Sequence, residues 1–253
     1  MDWGRLRLGE IFAVLSGKGG TGKTSVCAGI ATALAEEGKK VLAIDCDVGL
    51  RNLDISLGLS DSGALSFLDV SEGGYALDRA ARHPLYPSLA FLTAPMNRSV
   101  EQIAPEPFVA MLRGARKEFD YILLDAPAGV DAGFRLVSAA ADRFLLVTGA
   151  GPAAVRDASR VGDLLERMGK KEVRLGVNRV ARDMLSTVRL TIDDIMDTAG
   201  LPLWGIVLED PNVTLAASFG KPLLTFAKRT PAAKAYRRIA KRIQGFHEPI
   251  TLR

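Results

Sequence analysis

The stretch Gly17-Lys18-Gly19-Gly20-Thr21-Gly22-Lys23-Thr24 decides the fold of this chain. It satisfies the pattern GxxxxGK[ST], follows an apolar run of strand length and leads into a helix-like segment. Glycines are needed because such a loop wraps its backbone N–H groups around phosphate oxygens, at a distance that a Cβ would block. The helix that follows adds free N–H groups and partial positive charge. The stretch therefore predicts a phosphate-binding loop.

The side chains at the end of this loop carry the chemistry of phosphate binding. Lys23 is placed to neutralise β- and γ-phosphate oxygens, and the Thr24 hydroxyl to ligate Mg²⁺. Ser25 belongs to the same first helical turn and is assigned to the nucleotide with them. The expected ligands are ATP and Mg²⁺. The remaining residues of the expected phosphate cradle are Gly17, Lys18, Gly19, Gly20, Thr21 and Gly22.

Apolar runs of strand length alternate with amphipathic stretches of helix length on both sides of the loop, which is typical of βαβ units around a parallel sheet. Helices are expected at residues 23–37 and 152–168, and residues 60–88 are expected to form loop and short helix. The fold class is α/β: a P-loop NTPase with a mostly parallel twisted sheet and helices on both faces. The predicted strands are residues 11–15, 40–44, 89–92, 121–124, 143–147, 173–177 and 203–207.

Length and composition favour one domain. The chain has 253 residues, 48% of them hydrophobic and 25% charged, which offers enough apolar surface for a large core and argues against disorder. We expect residues 1–253 to form a single P-loop ATPase domain with a leader at 1–10 and a tail at 245–253. Neither a signal peptide nor an apolar run long enough to span a bilayer is present. Cys27 and Cys46 stand in apolar stretches without CxxC spacing, which favours buried free thiols in a reducing cytoplasm.

Acidic residues follow two of the predicted strands. Asp45 and Asp47 come directly after residues 40–44, and Asp125 follows residues 121–124. The carboxyl ends of parallel strands face the crevice where ligands of open α/β sheets bind, so these carboxylates should meet the phosphate loop there. Asp125 stands where the Walker B carboxylate of a P-loop site holds Mg²⁺, and it should do so through a water.

Lys18, a second lysine inside the loop, makes the sequence resemble the MinD/ParA family of deviant Walker A ATPases. The segments Gly49-Leu50-Arg51-Asn52-Leu53-Asp54, Asp125-Ala126-Pro127-Ala128-Gly129 and Val155-Arg156-Asp157 are similar to that family, most of all to its MinD members. The resemblance runs from about residue 11 to about residue 242. It implies an ATPase in which Lys18 reaches across a homodimer to phosphates held by the other subunit.

The same resemblance assigns the other site residues. It implies that Asp47 positions the attacking water, that Asp45 supports Mg²⁺ hydration, and that the N–H of Gly129 approaches the γ-phosphate. Asn178 and Arg179 match the pair of which the asparagine reads adenine, and Asp210 falls where the family closes over the base. The usual proline two residues earlier is Leu208 here, so contacts at Asp210 stay open.

Missing features separate members of the family. No cysteine follows Cys46, which excludes the bridging iron–sulfur cluster of nitrogenase iron proteins, and no C-terminal CxxC suggests an iron–sulfur carrier. Kinases and amide ligases would need a second substrate pocket, and a non-hydrolysing scaffold would not need Asp47. The resemblance thus implies a MinD-like switch in septum site determination, with a ParA-type partition ATPase or a flagellar-number regulator as alternatives.

The C-terminal basic segment bears on partners. Residues 228–247 hold seven Lys/Arg and no Asp or Glu, more than the whole chain's net charge of +4. An apolar stripe at Ala233, Tyr236, Ala240 and Ile243 favours a docked helix with solvated cations over a membrane anchor. The amphipathic C-terminal helix usual in MinD proteins is not evident, so contact with the inner face of the membrane stays open and DNA binding is not favoured. We expect a cytoplasmic protein that forms a homodimer when ATP-bound, with a protein activator and a division-inhibitor-type cargo.

Overall fold

The computed structural model describes residues 8–181 and 191–250, which form one eight-stranded sheet with the order β3-β4-β2-β5-β1-β6-β7-β8. Every neighbouring pair is parallel apart from β3 and β4. The mostly parallel sheet that the alternating pattern predicts is confirmed. The strands are β1 (Glu10–Leu15), β2 (Val41–Asp45), β3 (Ala81–Arg82), β4 (Leu89–Leu92), β5 (Tyr121–Asp125), β6 (Arg143–Thr148), β7 (Glu172–Val180) and β8 (Leu203–Leu208).

Helices cover both faces of the sheet, as predicted. Helices α1, α2, α8, α9 and α10 contribute to the apolar core on one face, and α3 to α7 to the core on the other. Single 3-10 turns occur at Leu77–Arg79 and Val100–Gln102. The helices are α1 (Lys23–Glu36), α2 (Leu53–Leu57), α3 (Phe67–Ser71), α4 (Pro105–Ala115), α5 (Ala132–Ala140), α6 (Pro152–Arg167), α7 (Ile192–Ala199), α8 (Pro211–Ser218), α9 (Leu223–Phe226) and α10 (Pro231–Ile243).

The central strands are buried on both faces. Every residue of β2, β4 and β5 is buried, because helices lie above and below them. This explains why they appear in the sequence as continuous apolar runs. All seven predicted strands are present within one to three residues of their predicted ends.

The prediction for residues 60–88 was incomplete. The stretch contains the short helix α3, but it also contains β3, which pairs antiparallel with β4 at the edge of the sheet. A two-residue strand has too few positions to show alternation, so its sequence gives no periodic signal. The strand closes the β4 edge, where an exposed row of unpaired backbone groups would otherwise remain.

Helix α10 is docked, as its stripe predicts. Ala233, Tyr236, Ala240 and Ile243 are buried against the sheet and α1. The Tyr236 ring fits against Gly29 of α1, where an added Cβ would lie 2.1 Å from the ring. Several cations of α10 are not free either.

Among these cations, Arg237 donates to both carboxylate oxygens of Glu36, at 2.6 and 3.1 Å, and Lys241 pairs with Glu248 at 3.3 Å. Across the described ranges we find no helix with the length and apolarity needed to cross a bilayer.

Residues 1–7 and 251–253, which belong to the predicted leader and tail, lie outside the described residues. The remaining leader is part of the fold, since β1 begins at Glu10 and the N–H of Gly9 donates to Arg116 O. Tail residues 245–250 run irregularly after α10, with Phe246 and Ile250 exposed. Cys27 and Cys46 are free and buried.

Candidate nucleotide site

The phosphate loop connects β1 to α1 in the conformation that its glycines predict. Gly20 and Gly22 both have φ of +80°, a backbone region that favours glycine. A Cβ at Gly22 would lie 2.3 Å from Asn178 Nδ2, whereas Gly19 and Gly20 have no other atom within 4 Å of such a position. The loop is therefore held tightly on one side and open on the other. Phosphate oxygens would approach from the open side.

Lys23 and Asp125 form a buried ion pair below the loop. Lys23 Nζ donates to Asp125 Oδ1 at 2.6 Å, and both side chains are buried. Burial lowers the pKa of Lys23, but the attraction of Asp125 more than offsets it, so the pKa of the ammonium lies above its ordinary value. Burial raises the pKa of Asp125 despite the neighbouring lysine. The short contact holds the lysine in place before any phosphate arrives.

Asp45 lies beside Asp125 at the ends of neighbouring strands. The two residues are register partners between β2 and β5. The Asp45 carboxylate accepts hydrogen bonds from the backbone N–H groups of Asp47, at 2.9 Å, and Leu53, at 3.0 Å. Burial, and then repulsion from Asp125, raises the pKa of Asp45 to about 7. In this structure the hydrogen bonds to Asp45 hold the loop between β2 and α2 in place. The assignment of Asp45 to Mg²⁺ hydration stays a prediction.

Asp47 lies in that same loop and is half-buried. Its Oδ1 accepts hydrogen bonds from the N–H groups of Gly49 and Leu50, both at 3.2 Å. Arg51, with φ of +49°, donates through Nε and Nη2 to Thr93 Oγ1 at 3.2 and 3.1 Å. The sequence interpretation missed this contact, because nothing near Thr93 marks it as a partner for a residue 42 positions away. Asp47 is thus placed in the crevice, and its carboxylate orders its own loop.

Gly129 has φ of +89° and lies over the start of the phosphate loop. Its N–H donates to the carbonyl oxygen of Ser16 at 3.0 Å. The resemblance assigns this N–H to a γ-phosphate. To reach one it would have to exchange Ser16 for a phosphate oxygen, so the contact links the segment after β5 to the state of the loop.

Asn178 and Arg179 lie near the end of β7 and hold the other side of the loop. Asn178 is buried, and its Nδ2 donates to Thr21 O at 2.7 Å. Arg179, with φ of +56°, donates from Nη1 to Gly20 O at 3.2 Å and from Nη2 to Glu209 at 3.1 Å. The two side chains connect the phosphate loop to the segment that follows β8. These contacts position the phosphate loop, whereas the resemblance implies that Asn178 recognises adenine.

A cleft of about 330 Å³ lies next to these residues, a size usual for small-molecule sites. Asp210 lines it, but the Asp210 carboxylate accepts hydrogen bonds from Asn212 N and Nδ2 and from Ala232 N. Although burial opposes it, these bonds hold the pKa of Asp210 below its usual range. Tyr236, which the sequence places only in an apolar stripe, also lines the cleft. The lining residues are Gly22, Ser25, Asn178, Arg179, Val207, Leu208, Glu209, Asp210, Pro211, Val213, Thr214 and Tyr236.

Lys18 differs from every other predicted site side chain. It is exposed, and within residues 8–181 and 191–250 it forms no ion pair. Gly17 next to it touches α6, since an added Cβ would lie 2.9 Å from the carbonyl oxygen of Asp157. The resemblance to Val155-Arg156-Asp157 thus falls on a helix that supports the loop.

The residues present fit a nucleotide with Mg²⁺. Asp125 Oδ2 is buried without a hydrogen-bond partner, which is unusual for a carboxylate oxygen and suits an ion or its water. The half-buried Thr24 lies at the start of α1, one residue after Lys23. The open side of Gly19 and Gly20 leaves room for phosphate groups. The structure therefore brings the predicted residues of the loop, β2, β5 and β7 together at the C-terminal ends of the strands.

Comparison with known proteins agrees with this geometry. Residues 12–223 match the CobQ/CobB/MinD/ParA nucleotide binding domain. The septum site-determining protein MinD of Synechocystis is 38% identical over 240 residues, which cover 94% of this chain and 90% of that protein.

Two solved structures are similar over most of their length. The MinC:MinD cell division protein complex of Aquifex aeolicus has a TM-score of 0.89 at 35% identity and covers 96% of this chain and 98% of that one. Septum site-determining protein MinD of Pyrococcus horikoshii, solved with Mg-ADP, has a TM-score of 0.81 at 27% identity, with 93% and 96% covered. The chain therefore belongs to the CobQ/CobB/MinD/ParA family of nucleotide-binding proteins, as a MinD-like ATPase that uses ATP and Mg²⁺.

Proposed function

We propose that this chain is a nucleotide-driven dimerisation switch of the septum site-determining kind. The observation that carries the proposal is the unequal state of the two loop lysines. Lys23 is buried and paired with Asp125, while Lys18 is exposed and forms no ion pair among the described residues. A cation held at the open side of a phosphate loop is placed to meet charge that lies outside its own subunit. That charge would be the phosphates bound by a second copy of the chain.

Phosphate binding begins with an exchange at Lys23. Nucleotide phosphates offer Lys23 a stronger partner than one carboxylate, so its Nζ moves from Asp125 to β- and γ-phosphate oxygens. Asp125 is then released and, with the Thr24 hydroxyl, is available to Mg²⁺ or its water ligands. Mg²⁺, when bound, supplies neutralisation of the phosphate charge.

The γ-phosphate distinguishes ATP from ADP through two segments. The Gly129 N–H, now on Ser16 O, turns to the γ-phosphate, and the segment after β5 moves with it. Asp47 gives up its backbone partners to hold the attacking water, while Asp45 keeps its end of the loop anchored. Order in both segments completes the face on which a second subunit docks, and Lys18 of each subunit neutralises charge on the other's phosphates.

The partner follows from the same face. One solved relative is a MinC:MinD complex, so we propose a division-inhibitor-type protein as the cargo that recognises the ATP-bound dimer. A protein activator would speed hydrolysis and return the monomer. We propose that the cycle runs in the cytoplasm. The septum-related relative supports this assignment over partition or flagellar roles.

Light scattering tests the switch. In an Asp47→Ala background, which blocks hydrolysis, ATP with Mg²⁺ should give the dimer mass and ADP the monomer mass. Lys18→Ala should leave ADP binding within about twofold and abolish the dimer, whereas Lys23→Ala should abolish binding of both nucleotides. Lys117→Ala, an exposed lysine after α4, is the matched control. One mass in both nucleotides, or equal loss of ADP affinity in both loop variants, contradicts the proposal.

A further inference from the structure

A second cleft opens at the N-terminal ends of β6, β7 and β8, on the side of the molecule opposite to the nucleotide site. It has a volume of about 590 Å³, and tail residues 245–250 form one wall. Strands of this length place it roughly 20 Å from the nucleotide site. We call it the basal cleft. Its lining residues are Arg143, Arg174, Leu203, Trp204, Arg242, Gly245, Phe246, His247, Glu248, Pro249 and Ile250.

Two of its three arginines form hydrogen bonds between the segments that surround the cleft. Arg143 donates to Glu10, at 2.7 Å, and to the carbonyl oxygen of Ile243, at 3.2 Å. Arg242 donates to the carbonyl oxygens of Trp204 and of Glu248. Arg143 thus has a carboxylate partner, whereas Arg242 donates to backbone carbonyls, which orient a guanidinium but do not neutralise it. Arg143 Nε and Arg242 Nη2 are in addition buried without a hydrogen-bond partner, so the walls are short of acceptors.

Arg174 is the third arginine and the least engaged. Its guanidinium lies 5.8 Å from the centre of the Trp204 ring, and it forms no ion pair within the described part of the chain. Glu172, two residues earlier on the same strand, does not pair with it there either. A half-buried guanidinium fixed by an aromatic ring is pre-oriented for a planar, two-point contact with an oxyanion.

Charge and apolar surface lie side by side in the basal cleft. Among the described residues, three arginines and one carboxylate, that of Glu248, line the cleft. Glu10 pairs with Arg143, and Glu248 pairs with Lys241. Trp204 forms an apolar floor, while Phe246 and Ile250 leave about half or more of their side chains exposed at the rim. A ligand with an anionic group and an apolar part would match both.

We propose that the basal cleft binds a phosphate-type oxyanion, with Arg174 as its main ligand and Arg143 and Arg242 supplying the positive field. The phosphate group could belong to a free phosphate ester or to a phospholipid headgroup, and both present the same chemistry to Arg174. The site is separate from the phosphate loop in place and in residues, so it can fill while the nucleotide is bound.

Trp204 supplies the readout. The chain has two tryptophans, so Trp3→Phe leaves Trp204 as the sole emitter. The protein is first saturated with Mg-ADP, which fills the part of the loop that binds the β-phosphate. The Arg174 variants below separate a response of the basal cleft from phosphate at the γ position, which ADP leaves open. Inorganic phosphate at constant ionic strength should then change Trp204 emission saturably. Vesicles with phosphatidylglycerol, compared with pure phosphatidylcholine, form the second arm; a response to vesicles alone assigns the site to a headgroup, and a response to phosphate alone to a free ester.

Arg174→Gln should raise the midpoint at least about tenfold, because a charge-assisted contact is lost. Arg174→Lys keeps the charge but loses the two parallel N–H donors of the guanidinium, so its midpoint should lie between those of the parent and of Arg174→Gln. Lys234 is an exposed cation of α10, and Lys234→Gln should have the midpoint of the parent. ADP affinity and ATP turnover should not change in these variants, because both depend on the nucleotide site at the C-terminal ends of the strands. No saturable response in either arm, or equal loss in the Lys234 variant, would overturn the proposal. Thermal unfolding of each variant checks that a lost response is not a lost fold.

Discussion

The buried carboxylate of Asp45 should make the stability of the nucleotide-free protein depend on pH. The pKa of Asp45 is about 7 in the fold, against an ordinary value of 3.8. Between these two values the folded chain holds a proton that the unfolded chain has released, so the free energy of unfolding falls as pH rises. Integrating the linkage from pH 5 to pH 8 gives a loss of roughly 2–3 kcal/mol from this one group. That is a sizeable part of the roughly 5–15 kcal/mol that holds most domains folded.

Urea unfolding with chelator and without nucleotide measures this loss at pH 5, 6, 7 and 8. Asp45→Asn removes the titrating group, and Asp61→Asn, at an exposed position, is the matched control. The NH₂ group of the asparagine cannot accept a hydrogen bond from one of the two backbone N–H donors, which lowers the stability of the variant. This loss of stability is the same at every pH. The difference in stability between parent and Asp45→Asn should therefore shift by roughly 2–3 kcal/mol over the range, in favour of the variant at high pH. A difference that stays constant within about 0.5 kcal/mol would refute the reasoning.

Three further substitutions test the packing of Gly29 and the hydrogen bond from Asn178 to the phosphate loop. Gly29→Ala should destabilise the protein by about 1–3 kcal/mol in urea unfolding, because its Cβ meets the Tyr236 ring. Gly114→Ala, with no atom within 4 Å of the new Cβ, should instead stabilise by about 0.5–1 kcal/mol; loss in both would contradict the packing argument. Asn178→Ala removes the donor to Thr21 O and should weaken ADP binding about tenfold or more by calorimetry. Unchanged affinity would mean that the loop keeps its shape without this tie.

The sequence predicts the fold well because each central strand carries its own signal. Runs such as residues 121–124 are apolar at every position, and burial on both faces is the environment that requires this. The phosphate loop is equally local, since the positive φ of Gly20 and Gly22 explains why glycine stands there. The two-residue β3 has no comparable signal, and only its pairing with β4 reveals it.

Long-range contacts account for what the sequence could not supply. The partners of Asn178 and Arg179 in the loop are more than 150 residues away, and no spacing rule connects them. The sequence likewise places Tyr236 in a docking stripe, although the same ring closes the cleft beside Asp210. A side chain that serves the core and a ligand cleft at once looks, in sequence, like a core residue alone.

The ion pair between Lys23 and Asp125 means that the phosphate loop carries its own competitor. A free lysine would recruit anions from the buffer, and added salt would then compete with the nucleotide. Here the competing carboxylate is covalently part of the chain, so its local concentration is constant whatever the buffer contains. Small anions gain little by entering, because one phosphate must displace a partner that never diffuses away. A ligand must therefore displace Asp125 from Lys23 before its own phosphates can take the lysine.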